Sequence, residues 1–161
     1  MYSRQLNKQY EQIMNLIKNT SASCGENIEL QGHWAKYVCV LAAGFLENAL
    51  GEVYIPMVGS SASPAVSNFT QKVLNKIQNP KANKFYETAN SFKKDWGDEV
   101  EKLFQTDPAV KEAIDSIMRI RHLIAHGKNT SVSIVKVKEY LESAVRVIEL
   151  IERQCGYHGQ N

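Results

Sequence analysis

Arg121 and His126 stand five positions apart in the run Arg121-His122-Leu123-Ile124-Ala125-His126-Gly127, and no other stretch of the chain concentrates reactive side chains in this way. An arginine carries a permanent, planar positive fork that fits phosphate oxygens, and a histidine gives or takes protons near neutral pH. Cleaving a phosphodiester needs groups that take one proton and deliver another, together with fixed positive charge beside the phosphorus. The pair therefore points to phosphodiester chemistry. Two fixed residues with free positions between them also recur by chance, so the pair has to be weighed with its surroundings.

The charge around the pair is uneven. From Ser116 to Lys138 there is no Asp or Glu, whereas Arg119, Arg121, Lys128, Lys136 and Lys138 all fall there, in a chain whose net charge is only +2. A local basic field around a reactive histidine suits an anionic substrate. The competing reading is that basic residues favour the last turn of a helix, where they oppose its dipole. That covers Arg121 and Lys128 and leaves Lys136 and Lys138 unexplained. His122 and His126 have the spacing of two metal ligands on one helical face. No carboxylate lies near them in the sequence, and basic surroundings repel a divalent cation, so neither a metal nor a cofactor is expected. Gly59 and the serines after it lack the lysine of a phosphate-binding loop, and there is no G-x-S-x-G elbow. Cys24, Cys39 and Cys155 show no CxxC spacing and no neighbouring base, which fits reduced thiols in a cytoplasm. His33, before Trp34 at a helix start, reads as packing or surface, and His158 lies in a polar tail.

The elements that must position the pair are helical. At 161 residues, 43% apolar and 22% charged, the chain has the size and composition of one globular domain, 1–161. Its first residues lack the apolar stretch of a secretory signal, and its longest apolar run, Val38 to Leu46, is too short to span a bilayer, so no membrane association is expected. Leu6, Tyr10, Ile13 and Ile17 predict a helix over about the first twenty residues. Asn19 to Asn27 reads as a polar loop. A long helix is expected from near Leu30 to Val53, with Tyr37, Leu41, Phe45, Ala49 and Val53 on one stripe and Pro56 ending it. Gly59 to Ser63 reads as a flexible connector, and Ser63-Pro64 as a cap that opens a short helix supported by Val66, Val73 and Ile77. The stretch through Phe85, Tyr86, Phe92 and Trp96 predicts one broken helix or two short ones. Asp107-Pro108 caps and opens a helix that ends at Gly127, since glycine adopts the left-handed conformation freely. The last helix turns Ile134, Val137, Leu141, Val145, Ile148 and Ile151 inward. Ser131 to Val137 is rich in β-branched residues but has no strand partner. The aromatics, spread at helical spacing, read as core and not as a base-stacking platform. The expected fold is an all-α bundle of four or five main helices with short extra ones.

On the helix from Asp107, Val110, Ile114, Ile117, Arg121 and Ile124 form one stripe at 100° per residue. An unpaired charge buried in such a stripe is costly. Either the stripe leaves the core there and the guanidinium snorkels to water, or it faces an apolar interface that contains a polar site. His126 lies roughly 140° round from Arg121, which makes an intrachain pair awkward. It sits at the helix rim, where the carbonyl ends favour an imidazolium. A two-fold dimer packing these helix ends together would set Arg121 and His126 against their copies and supply two histidines in place of one.

Arg-His-x-Ile-Ala-His-Gly at a helix end resembles the HEPN superfamily, whose signature is an Arg, four to six residues and a His, commonly with a polar residue after the Arg, here His122. The long second helix with Gly44-Phe45-Leu46-Glu47-Asn48-Ala49-Leu50, and the closing helix, are similar to the RiboL-PSP type of prokaryotic HEPN domain over a core of about 30–152. The resemblance implies a homodimer formed through the helices carrying Arg121 and His126, and an endoribonuclease that needs no metal and cleaves RNA by attack of the 2′-hydroxyl. It implies that Arg121 and His126 are catalytic, that His122 orients or contacts the RNA backbone, and that Glu47 supports Arg121. Arg119 and Lys128 are candidate substrate contacts from the basic window. A toxin or phage-defence role is the expected setting, with an antitoxin or regulatory protein as a candidate partner. The position two after the histidine is Lys128, not tyrosine, so silencing by nucleotidyl transfer to a tyrosine is not implied. The alternative is a non-catalytic helical module that binds RNA, nucleotide or protein.

Overall fold

In a computed structural model, residues 1–157 are described, apart from the side chain of Ser21, and they form seven helices and no strand. The four long ones are α1 (Arg4–Ser23), α2 (Ile28–Ser61), α6 (Pro108–Ala125) and α7 (Ile134–Gln154), and three short ones, α3 (Pro64–Leu74), α4 (Ala82–Phe92) and α5 (Lys94–Thr106), fill the middle of the chain. His158 lies outside the described residues.

α2 is the hub, packing against α1, α3, α6 and α7. Its composition and length would suffice to cross a bilayer. Its apolar residues instead turn into the bundle, where Val38, Leu46, Leu50, Val53 and Tyr54 are fully buried. The expected break at Pro56 does not occur: α2 continues to Ser61 with the proline inside it. A proline removes one backbone hydrogen bond and crowds the preceding turn. Pro56 is exposed, while Val53, Tyr54 and Val58 around it are buried, so side-chain packing holds the helix together across the gap. The Gly59–Ser63 connector thus shrinks to Ala62 and Ser63, and the loop expected at 19–27 shrinks to 24–27 because α1 reaches Ser23.

The expected α2 stripe is buried at Phe45, Ala49 and Val53 and reaches solvent at its first residue. Tyr37 on α2 is 51% exposed, and α3 presents Val66, Phe69 and Val73 to solvent, with Phe69 68% exposed. The inward set on α7, from Ile134 to Ile151, is buried throughout, as are Leu6, Ile13 and Ile17 on α1. Tyr54 stacks on Phe92 with ring centroids 4.4 Å apart, joining α2 to α4. The elbow between α4 and α5 closes on Gly97, where a Cβ would sit 2.5 Å from Cβ of Asn90. The Asp107-Pro108 cap also differs from expectation: Asp107 makes no side-chain cap hydrogen bond, and its carboxylate pairs with Arg146 of α7.

Glu152 on α7 is fully buried, and its carboxylate accepts from the backbone N–H groups of Tyr2, at 2.9 Å, and Ser3, at 2.7 Å. One buried anion thereby satisfies the chain entering α1 and ties the first helix to the last. A Glu152→Ala change orphans both donors, so chemical denaturation should show a loss of about 2–4 kcal/mol. A loss below about 0.5 kcal/mol, the range of an ordinary surface change, would mean that water replaces the carboxylate at no cost.

Candidate active site

α6 carries the Arg–His run, and its two faces separate the two residues. Val110, Ile114 and Ile117 are fully buried, Arg121 and Ile124 continue that stripe half-buried, and His122 and His126 are exposed. The helix is unbroken to Ala125, so five steps of 100° leave Arg121 and His126 about 140° apart. Arg121 stands where the apolar stripe emerges from the core, and its side chain makes no hydrogen bond or ion pair with any described residue.

The end of α6 is closed in a Schellman arrangement. The N–H of Lys128 donates to the Leu123 carbonyl at 2.9 Å and that of Gly127 to the Ile124 carbonyl at 3.1 Å, with Gly127 at φ +63°. These bonds satisfy two carbonyls that a helix end otherwise leaves open, and they fix His126 as the capping residue. Its N–H donates to the His122 carbonyl at 3.1 Å, and its ring lies 4.3 Å from the ring of His122. The two imidazoles form one exposed cluster. Among the described residues no third His, Cys, Asp or Glu joins them as a metal set.

Arg119 shares the histidines' face, three and seven positions before them, and is exposed. Arg119 and His122 line a groove of about 640 Å³ together with Asn79, Lys81, Lys111 and Asp115. Lys128 is exposed beside the cap and contributes its backbone N–H to the closure. Glu47 does not partner Arg121. Its carboxylate accepts from the N–H of Asn79 at 3.1 Å, so it anchors the connector between α3 and α4. The groove residues Asn79, Lys81 and Lys111 were missed by sequence reasoning. Lys81 lies in an acid-free run, 53–86, with Lys72, Lys76 and Lys84, and Lys111 stands eight positions before Arg119 on the same helical face, but neither signal shows that the two walls meet.

Nucleophilic thiols find no support. Burial pushes the Cys39 thiol up to about 12, against a smaller lowering effect of Arg119, and burial does the same to Cys155. Both are neutral thiols at pH 7. Burial also raises the phenol of Tyr54. The chemistry that remains is that of two exposed imidazoles, an unpaired arginine at the edge of the core and a second arginine beside the histidines.

A family described as RiboL-PSP-HEPN matches residues 3–157 by its sequence model. No curated protein and no solved structure matches the chain.

Gly127 has open space where a Cβ would be, so only its left-handed backbone resists substitution. Gly127→Ala should cost about 1 kcal/mol, read from the denaturation midpoint. It should also reduce any activity that depends on the placement of His126. An unchanged midpoint would show that the closure does not hold the helix end.

Proposed function

The chain belongs to the RiboL-PSP-HEPN family, and on that premise we propose that it is a metal-independent endoribonuclease working as a homodimer, in a toxin or phage-defence setting in the cytoplasm. The observation that carries this reading is Arg121: half-buried, at the edge of an apolar stripe, and without an acceptor among the described residues. A partly desolvated guanidinium with no protein partner is a strong site for a phosphate, whose oxygens match its fork. His126 is exposed at the same helix end, but on another face. A second copy docked there would bring an Arg121 and a His126 together across the two-fold axis.

In the resulting cleft a neutral His126 takes the proton of a ribose 2′-hydroxyl, and the 2′-oxygen attacks the adjacent phosphorus. The bond to the 5′-oxygen breaks, and that oxygen leaves with a proton from the imidazolium of the second copy. The products are a 2′,3′-cyclic phosphate and a 5′-hydroxyl. Arg121 holds the charge that builds on the phosphoryl oxygens. His122, packed on His126, orients the ring and contacts the backbone.

His126→Ala and Arg121→Ala should each lower kcat/KM for RNA cleavage by about 10²-fold or more. Both variants should keep the wild-type melting behaviour, and the wild type should stay active in EDTA. Loss of cleavage only when chelator is added would replace this mechanism with a metal site. A folded dimer that leaves RNA intact at high concentration would leave a non-catalytic binding module.

A further inference from the structure

We propose that the groove between α6 and the 75–81 connector is the track along which the backbone of single-stranded RNA reaches the histidine pair, a proposal that rests on the ribonuclease reading above. Lys111, Asp115, Arg119, His122 and His126 step by four, four, three and four along α6, which puts them on one outward stripe of the helix. The stripe is about 22 Å long at 1.5 Å per residue, enough for several consecutive phosphates. It ends on the two imidazoles, whose rings lie 4.3 Å apart and tilted by 56°.

The opposite wall is built, not incidental. The second half of the connector is fastened at two points by carboxylates: Glu47 of α2 accepts from the N–H of Asn79, at 3.1 Å, and Asp115 of α6 accepts from the N–H of Ala82, at 2.9 Å. Asn79 takes a left-handed φ of +50° to make the turn. These bonds hold Lys81 across the groove from Lys111 and Arg119. They also engage one of the two acids in the groove, Asp115, with a backbone donor, leaving Glu112 as the other carboxylate in the wall.

The cations here are free to bind an anion. Lys84, Lys94, Lys136, Lys138 and Arg146 each pair with a carboxylate, but Lys81, Lys111 and Arg119 make no side-chain hydrogen bond or ion pair among the described residues. The acid-free runs 53–86 and 116–138 meet at this groove, the first supplying Lys81 and the second Arg119 and His122. A concavity of about 640 Å³ has the size of a small-molecule site, and so admits one or two nucleotides of a single strand and not a duplex. The strand would be held by phosphate contacts, which are insensitive to base sequence.

The test measures binding of a labelled ten-nucleotide oligouridylate by fluorescence anisotropy over a range of salt, in the 161-residue chain carrying His126→Ala to prevent cleavage. Adding Lys81→Glu and Lys111→Glu together should weaken binding at least tenfold and flatten the log–log salt slope by about 1.4, the value for two lost single-strand phosphate contacts. Replacing the same lysines with alanine should have a smaller effect in the same direction. Lys18→Glu, at an exposed site on α1, should change the slope far less. The track is overturned if the His126→Ala protein does not bind the oligonucleotide, if the double reversal leaves affinity and slope unchanged, if Lys18→Glu weakens binding equally, or if a duplex of the same length binds as tightly. The ribonuclease reading fails separately: wild-type protein that leaves RNA uncut while the double reversal still abolishes binding keeps the track and loses the catalysis.

Discussion

A straight α-helix cannot turn residues five apart to the same side, and the site depends on that constraint. α6 stays regular through Ala125, and the bonds from Gly127 and Lys128 close it immediately afterwards. No unwinding swings His126 back toward Arg121. The arginine remains on the side that packs into the bundle, while the histidine faces outward with His122 and Arg119. Each α6 thus carries the two kinds of group that phosphodiester cleavage requires on faces that do not meet. In the dimer we propose, the separation serves a purpose: chemistry starts only where two helix ends come together, so the isolated chain is harmless.

The rest of the fold serves the rigidity of that helix. Val110, Ile114 and Ile117 lock one face into the core beside α2 and α7, and the Cys39 thiol lies 3.8 Å from the Ile117 carbonyl. The other face is bounded by the 75–81 connector, whose position two carboxylates on α2 and α6 define. Glu47 illustrates how function and support divide. It sits on the helix that packs against α6, yet its charge holds a backbone N–H of the groove wall and leaves Arg121 open. A carboxylate paired directly with Arg121 would compete with a phosphate for the same fork.

Much of this was legible in the sequence because it depends on local rules. The 3.6-residue periodicity of α1, α6 and α7 named their buried faces, and Gly127 marked the helix end because a left-handed residue is needed there. The half-buried place of Arg121 followed from its position on the apolar stripe. What failed depends on tertiary packing. Pro56 is a breaker by its own chemistry, but buried neighbours on both sides carry α2 past it. Tyr37, Val66 and Val73 look like core from composition and face solvent because no other helix covers them. The role of Glu47 and the approach of Lys81 to Arg119 were not legible, since residues more than thirty positions apart along the chain meet there only through the connector, whereas Lys111 shares the face of Arg119 by helical spacing alone.

The central claim is that a working site draws on two chains, and subunit mixing tests it most directly. Wild-type protein would be mixed with a large excess of the His126→Ala protein, allowed to exchange subunits, and assayed for RNA cleavage. Nearly every wild-type chain then sits in a mixed dimer that retains one His126, so cleavage per wild-type chain should fall towards that of the variant. Exchange confirmed by mass, with cleavage per wild-type chain unchanged, would contradict a site shared between chains and return both residues to a single subunit.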